Sequence, residues 1–272
     1  MSRDQLFSPM PAQLIDHART FDGNAVAPRD AATVALVRFD DRQIFTYLLQ
    51  RVSTMTFASG FSVFPGGGVG DQDWDPDLPF AAGIDQIARA FGCDPHEARA
   101  VVAAAVRETF EETGVLLADP VDASSAMDET ALELDRIRLI DGTSGLTDIL
   151  ERHGYAIQPG LLRPWGRWIT PDFEPRRYDA RFFVARVPHG QRVRHVSTEA
   201  ETSAWVELED AVMAAERGDI RLLPPTLTTC RELVERFRDG TLMAQVDRRV
   251  PVRTGRAVEI EGELFIEHLV RS

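Results

Sequence analysis

The sequence predicts an α/β protein, a sheet covered by helices, on three observations. Two neighbouring runs near the N-terminus, residues 32–39 and 44–51, are rich in β-branched and aromatic residues, as strands are. A long helical segment in the middle has Asp94-Pro95 at its start and Gly114 at its end, the usual punctuation of a helix. Strand-like runs return at 165–170, 179–187 and 203–208, before helical patterns at 208–217 and 226–238.

Residues 1–30 are polar and interrupted by proline, and read as an N-terminal extension. "ATVALVRF" and "IFTYLLQR" are separated by Asp40, Asp41, Arg42 and Gln43, which predicts a hairpin. "FSVFPGGGVGD" (61–71) is a short apolar strand that breaks into Pro65 and three glycines, so its backbone is able to approach a neighbour closely. Residues 71–95 are acidic and proline-broken, with one short helical pattern around 84–91. In the helix that follows, Ala98, Val101, Val102, Ala105 and Val106 mark a buried stripe.

At 272 residues and 44% hydrophobic, without an apolar run approaching the ~18 residues of a membrane span, the chain predicts a soluble globular protein. The N-terminus lacks the apolar stretch of a secretory signal, and Cys93 and Cys230 form no CxxC pair, so the expected compartment is the reducing cytoplasm. A net charge of −13 argues against nucleic acid as a partner, because that grip depends on cations that neutralise phosphates. All 30 basic residues are arginine, which excludes a P-loop lysine and a Schiff-base lysine. The six histidines show no HExxH spacing, so zinc hydrolysis has little support.

Within the central helix, "RETFEETGV" (107–115) places Glu108, Glu111 and Glu112 at offsets of three and four, within an arc of roughly 100°. Like charges at such spacings repel by roughly 0.2–0.5 kcal/mol per pair, and the nearby helix C-terminus disfavours anions as well. Two readings follow from the residues alone: a solvated acidic face, or a site where a divalent cation such as Mg²⁺ compensates the repulsion and keeps positions open for substrate phosphates.

The pattern resembles the Nudix hydrolases, whose signature is Gly, five residues, Glu, seven residues, then Arg-Glu-aliphatic-any-Glu-Glu-any-Gly-aliphatic. Arg107, Glu108, Glu111, Glu112, Gly114 and Val115 match its second half, and "FPGG" ending at Gly67 matches its entry. Gly67 and Arg107 stand 40 positions apart where the uninterrupted signature has 14, so about 26 residues are inserted. Arg99 stands where the signature's first Glu falls, and Thr109 where an aliphatic is usual. The inserted box, "VFPGG" upstream and "RWITP…PRRYDARFF" downstream are similar to the acyl-CoA diphosphatase branch of that family.

The resemblance implies an α/β/α sandwich with a central mixed sheet and a helical C-terminal extension. It divides the chain into an extension (1–30), a Nudix domain (31–210) with an insertion at about 71–95, and the C-terminal part (211–272). It implies Mg²⁺ or Mn²⁺ held by Glu108, Glu111 and Glu112, with Arg107 pairing to a box glutamate and Gly66 and Gly67 beside the substrate. A further carboxylate, Glu199 or Glu201, is implied as base or extra ligand. Arg176 and Arg181 are candidates for phosphate contacts, since guanidinium groups suit bidentate phosphate binding. Trp165, Trp168 and Phe173 stay open between core and a stacking or acyl pocket.

The implied activity is hydrolysis of a diphosphate linkage in a small molecule, with CoA or acyl-CoA first and ADP-ribose, nucleotide sugars or dinucleoside polyphosphates behind. A non-catalytic binding or regulatory module on the same fold is the alternative. Neither nucleic acid nor membrane is an expected partner, and a homodimer stays open. The large apolar groups of the insertion, among them Trp74, Leu78, Phe80, Ile87 and Phe91, predict that it packs on the domain, either as a partial lid over the substrate or as a cover on its back.

Overall fold

The structure is a computed structural model that describes residues 7–51, 60–122, 128–194, 200–244 and 249–271. In chain order its first strands and helices are β1 (Phe7–Pro9), α1 (Ala12–Thr20), β2 (Arg29–Phe39), β3 (Ile44–Arg51), β4 (Ser62–Val63), β5 (Gly66–Gly68), α2 (Ile84–Phe91) and α3 (Pro95–Thr113). There follow β6 (Ala118–Pro120), α4 (Glu129–Ile140), α5 (Leu146–His153), β7 (Tyr155–Ile157), β8 (Arg163–Ile169) and β9 (Tyr178–Arg186). The chain closes with β10 (Ala200–Glu207), α6 (Leu208–Arg217), α7 (Pro224–Arg238), β11 (Val252–Ile260) and β12 (Glu263–Arg271).

β2 lies inside the sheet because both its faces are apolar. Val34 and Leu36 alternate with Ala35 and Val37, and all four are fully buried. The strand order is β1-β12-β11-β8-β9-β2-β3-β10, with β4 on β3 and β5 on β2. The β2–β9 and β8–β11 pairs are parallel and the others antiparallel, so the sheet is mixed, as expected. The hairpin between β2 and β3 turns at Asp40, whose carboxylate accepts from the amides of Arg42 and Gln43.

Helices cover both faces. Val34, Leu36 and Phe183 pack with α2 and α3 through Ile87, Phe91, Val102 and Val106. Val37, Ile44 and Val184 pack on the other side with Leu208, Cys230 and Leu233 of α6 and α7. This is the predicted α/β/α arrangement, with a C-terminal helix present.

Two features were not foreseen. Beyond α7 the chain returns to the sheet as the β11–β12 hairpin, and β1 pairs with β12, so part of the N-terminal extension belongs to the same sheet. Between α3 and β8 stand α4, α5 and the small β6–β7 ladder. The insertion packs on the domain, as its apolar groups predict: Leu78, Ile87 and Phe91 are each about 4% exposed or less and join the α3-side core.

Arg99 ties that insertion down. Its guanidinium donates to the carbonyls of Pro76 (3.3 Å) and Leu78 (3.1 Å) and lies 4.2 Å from the centre of the Phe80 ring. The residue that displaces the signature's first Glu therefore serves the segment that interrupts the signature. Arg99→Ala is expected to speed proteolytic nicking between residues 75 and 83 while changing activity less than about tenfold, under ~1.4 kcal/mol of barrier. Limited proteolysis beside a rate assay checks both halves.

Candidate active site

The site grows from one helix end meeting one glycine strand. Asp94 starts α3, its carboxylate accepting from the amides of His96 (2.9 Å) and Glu97 (3.0 Å), and Pro95 follows at the first helical position. Gly114, at φ +73°, ends it. Small residues through Ala98–Ala105 let the helix lie close on the sheet, and its last turns carry the carboxylates to β5.

Contact with β5 requires glycine twice, for different reasons. At Gly66 (φ +153°) an added Cβ meets the backbone, 2.3 Å from the Ala32 carbonyl oxygen and 2.7 Å from the Thr33 Cα. At Gly67 it meets the Glu108 carboxylate, 2.3 Å from Oε1. The amide of Gly66 also donates to Glu112 Oε2 at 2.8 Å. Gly66→Ala is expected to cost stability, because the backbone of β2 has no room to yield. Gly67→Ala displaces only a flexible carboxylate, so it is expected to leave the melting temperature nearly unchanged while lowering activity. Paired melting and rate measurements separate the two.

Arg107 holds the glutamates from within. Nearly buried, it donates from Nε (2.8 Å) and Nη2 (2.9 Å) to the two oxygens of Asp73, and from Nη2 to the carbonyl of Gly68 (3.0 Å). Its Nη1 donates to Glu108 Oε1 (2.8 Å) and more weakly to Glu111 Oε1 (3.4 Å). Burial opposes the charge of Arg107, but the bonds to Asp73 and the surrounding carboxylates outweigh it and hold the guanidinium above its usual value. For Glu111 the balance falls the other way: burial raises its carboxyl, Glu108 adds to the rise, and Arg107 offsets only part of it.

Asp73 is the partner that sequence reading missed. It comes from the 3₁₀ turn Asp71–Trp74 at the start of the insertion, is 3% exposed, and also accepts from the Gly70 amide (2.8 Å). In "DQDWDPD" it is one of four aspartates in seven residues, and nothing local distinguishes it from Asp71, Asp75 or Asp77. Arg136 of α4 was missed too. Fully buried, it donates to the carbonyl of Glu111 (2.6 Å) and is clamped by Glu133, so a cation sits against the C-terminal end of α3.

The other sequence candidates divide. Arg176 is exposed on the β8–β9 loop. Arg181 corrects the expectation of a phosphate contact: it is 1% exposed, and its guanidinium is bound to Asp30 and Glu97, which makes it an internal brace. Phe173 is buried, whereas Trp165 and Trp168 pack at the edge of the α7-side core. Glu199 and the side chain of Glu201 lie outside the described residues.

Among the described residues no three His, Cys, Asp or Glu side chains already converge as a metal cage. The donor set nonetheless suits a hard divalent cation: three carboxylates at one helix end, two of them sharing the single Nη1 of Arg107.

The NUDT19 Nudix domain model matches residues 89–233, and the chain belongs to the Nudix hydrolase family. A Caenorhabditis elegans protein named as a nudix hydrolase is 29% identical over 199 residues, covering 72% of this chain and 57% of that protein. The acyl-coenzyme A diphosphatase NUDT19 of Gallus gallus is 27% identical over 221 residues, covering 65% of this chain and 57% of its own. The chain thus spans a little over half the length of these curated relatives. Among solved structures, a NUDIX hydrolase from Alicyclobacillus acidocaldarius superposes with a TM-score of 0.65 at 26% identity, covering 81% of this chain and 97% of that one. No helix among the described residues is long and apolar enough to cross a membrane.

Proposed function

We propose that this chain is a divalent-metal-dependent diphosphatase, with CoA or acyl-CoA as substrate. The observation that carries the proposal is the meeting of Glu108, Glu111 and Glu112 with the glycine strand at Gly66–Gly67. A module without turnover has no use for three repelling carboxylates braced by a buried arginine.

A bound Mg²⁺ or Mn²⁺ would supply neutralisation of the diphosphate oxygens and a more acidic water. Glu108, Glu111 and Glu112 would hold it. Arg107 fixes the orientation of Glu108 and Glu111, and Asp73 fixes Arg107, so the carboxylates are positioned before substrate arrives. The absence of a side chain at Gly67 lets the Glu108 carboxylate lie against β5, which supports a diphosphate site at this helix end. Water adds to one phosphorus, the bridging P–O bond breaks, and the proton passes to a carboxylate, for which Glu199 and Glu201 are the candidates. Arg176 is the proposed phosphate contact.

The CoA assignment is supported by similarity to the acyl-coenzyme A diphosphatase of Gallus gallus and by the inserted box. A panel of CoA, acyl-CoA, ADP-ribose, a nucleotide sugar and a dinucleoside polyphosphate, assayed with Mg²⁺ and Mn²⁺ and read by mass, tests it. Release of 4′-phosphopantetheine or its acyl form at the highest kcat/KM of the panel is the expected result. Preference for ADP-ribose or a nucleotide sugar overturns the substrate while leaving the diphosphatase reading standing.

A further inference from the structure

We propose that a second, basic cavity on this chain binds an organic phosphate monoester with an aromatic or apolar body, at a site separate from the glutamate helix. The cavity measures about 1020 Å³ and lies where the first half of β8 is left uncovered, between α2 and α7. On this edge β8 is paired by β11 only at Arg167–Ile169, so Arg163, Pro164 and Trp165 form a floor that no described strand covers. Ile87, Leu162 and Val250, each under 10% exposed, give it an apolar lining.

Its charge is opposite in sign to that of the whole chain. Arg89, Arg163, Arg236, Arg249 and Arg253 line it, against Glu232 and Glu235, which leaves +3 in a protein of net charge −13. Glu232 is already satisfied: it pairs with Arg253 (2.5 Å) and accepts from Trp165 Nε1 (2.8 Å). Arg163 and Arg236 are held in place, donating to the Leu242 carbonyl and to Thr241 Oγ1 respectively. Arg89 and Arg249 have no ion-pair partner among the described residues.

Those features select the ligand. Several guanidinium groups around one space match the two charges and three oxygens of a phosphate monoester better than a single carboxylate. The volume is at the upper end for small-molecule sites and far larger than inorganic phosphate needs, and the Trp165 and Ile87 side suits an apolar or aromatic body. The wall at Ala90 and Arg249 stands beside the start of α3, since the Val250 amide bonds to the Ala90 carbonyl and Arg249 packs on Gly92. From Asp94 to Glu108 the helix axis runs 14 residues, roughly 21 Å at 1.5 Å per residue. The cavity shares no lining residue with the glutamate site.

The test is calorimetric titration of the full chain with adenosine 5′-monophosphate, which has no phosphoanhydride to hydrolyse, in EDTA and low salt. Saturable binding near one equivalent is expected, with neutral adenosine showing none. Arg89→Gln/Arg249→Gln, which keeps side-chain bulk at two exposed positions, is expected to weaken binding at least about tenfold, the size of one charged contact. Glu112→Gln is expected to bind as the parent does, and circular dichroism confirms that each variant is folded. Absence of saturable binding to the parent overturns the proposal. So does equal binding of adenosine, or loss in Glu112→Gln with retention in the double variant, which places the nucleotide at the glutamates.

Discussion

Glu111→Gln lowers turnover by at least about 100-fold, ~2.7 kcal/mol of transition-state stabilisation, while the protein stays folded and becomes slightly more stable at neutral pH. The two effects have one cause. Glu111 ends a helix beside Glu108, partly buried, and its carboxyl is raised above the usual range. Below the ordinary carboxyl value, 4.5, it is neutral in both states. As pH rises from there towards the raised folded value, the unfolded chain ionises first, so folding loses stability across that window. Glutamine carries no such loss and still accepts from Arg107. The parent's stability is therefore expected to fall relative to Glu111→Gln as pH rises through that window, and its activity to climb as Glu111 ionises. Denaturant titrations from pH 4 to 7 with parallel rate measurements check both signs; equal activity in a folded Glu111→Gln removes Glu111 from the chemistry.

Asp73→Ala is the second large effect, and it is a loss of both stability and rate. Removing one partner of a buried ion pair typically costs about 3–5 kcal/mol, because the other charge is left without compensation. Here that charge is Arg107, whose side chain is 7% exposed and which also steadies Glu108 and Glu111. A lower denaturation midpoint and a fall in kcat larger than the change in KM are expected. Asp73→Asn keeps one acceptor and should recover part of the stability and less of the rate. If Asp73→Ala melts as the parent does, the Asp73–Arg107 pair does not brace the site.

The glutamate-bearing helix was legible because its signals are local. Asp94-Pro95 and Gly114 fixed its ends, the alanine and valine spacing fixed its buried face, and the glutamate spacing marked the face proposed to hold a metal. The strands of the central hairpin were legible for the same reason, since alternation and β-branched content act over a few residues. What could not be read depends on distant partners. α4 buries Leu132, Asp135, Arg136 and Leu139, a stripe whose middle is charged, so its pattern does not show as apolar periodicity. Asp135 is satisfied there by Arg138, Arg152 and His153, and Arg136 by α3 and Glu133.

Arg181 shows the same limit. An arginine suited to phosphate is equally suited to carboxylates, and only the parallel β2–β9 pairing brings Asp30 near enough to claim it. The β11–β12 hairpin was missed: residues 211–272 were expected to be helical, yet Gly262 stands between two alternating runs, and the structure gives Glu261 and Gly262 the positive φ of a turn there.

Hydrolysis of CoA in isotopically labelled water, with Mg²⁺ present and products read by mass, tests the central claim most directly. Expected are one labelled oxygen in a single phosphate product, turnover abolished by EDTA, and the same site of labelling at a rate at least about 100-fold lower in Glu112→Gln. A parent enzyme that is folded and metal-loaded yet hydrolyses neither CoA nor any other diphosphate of the panel would contradict it.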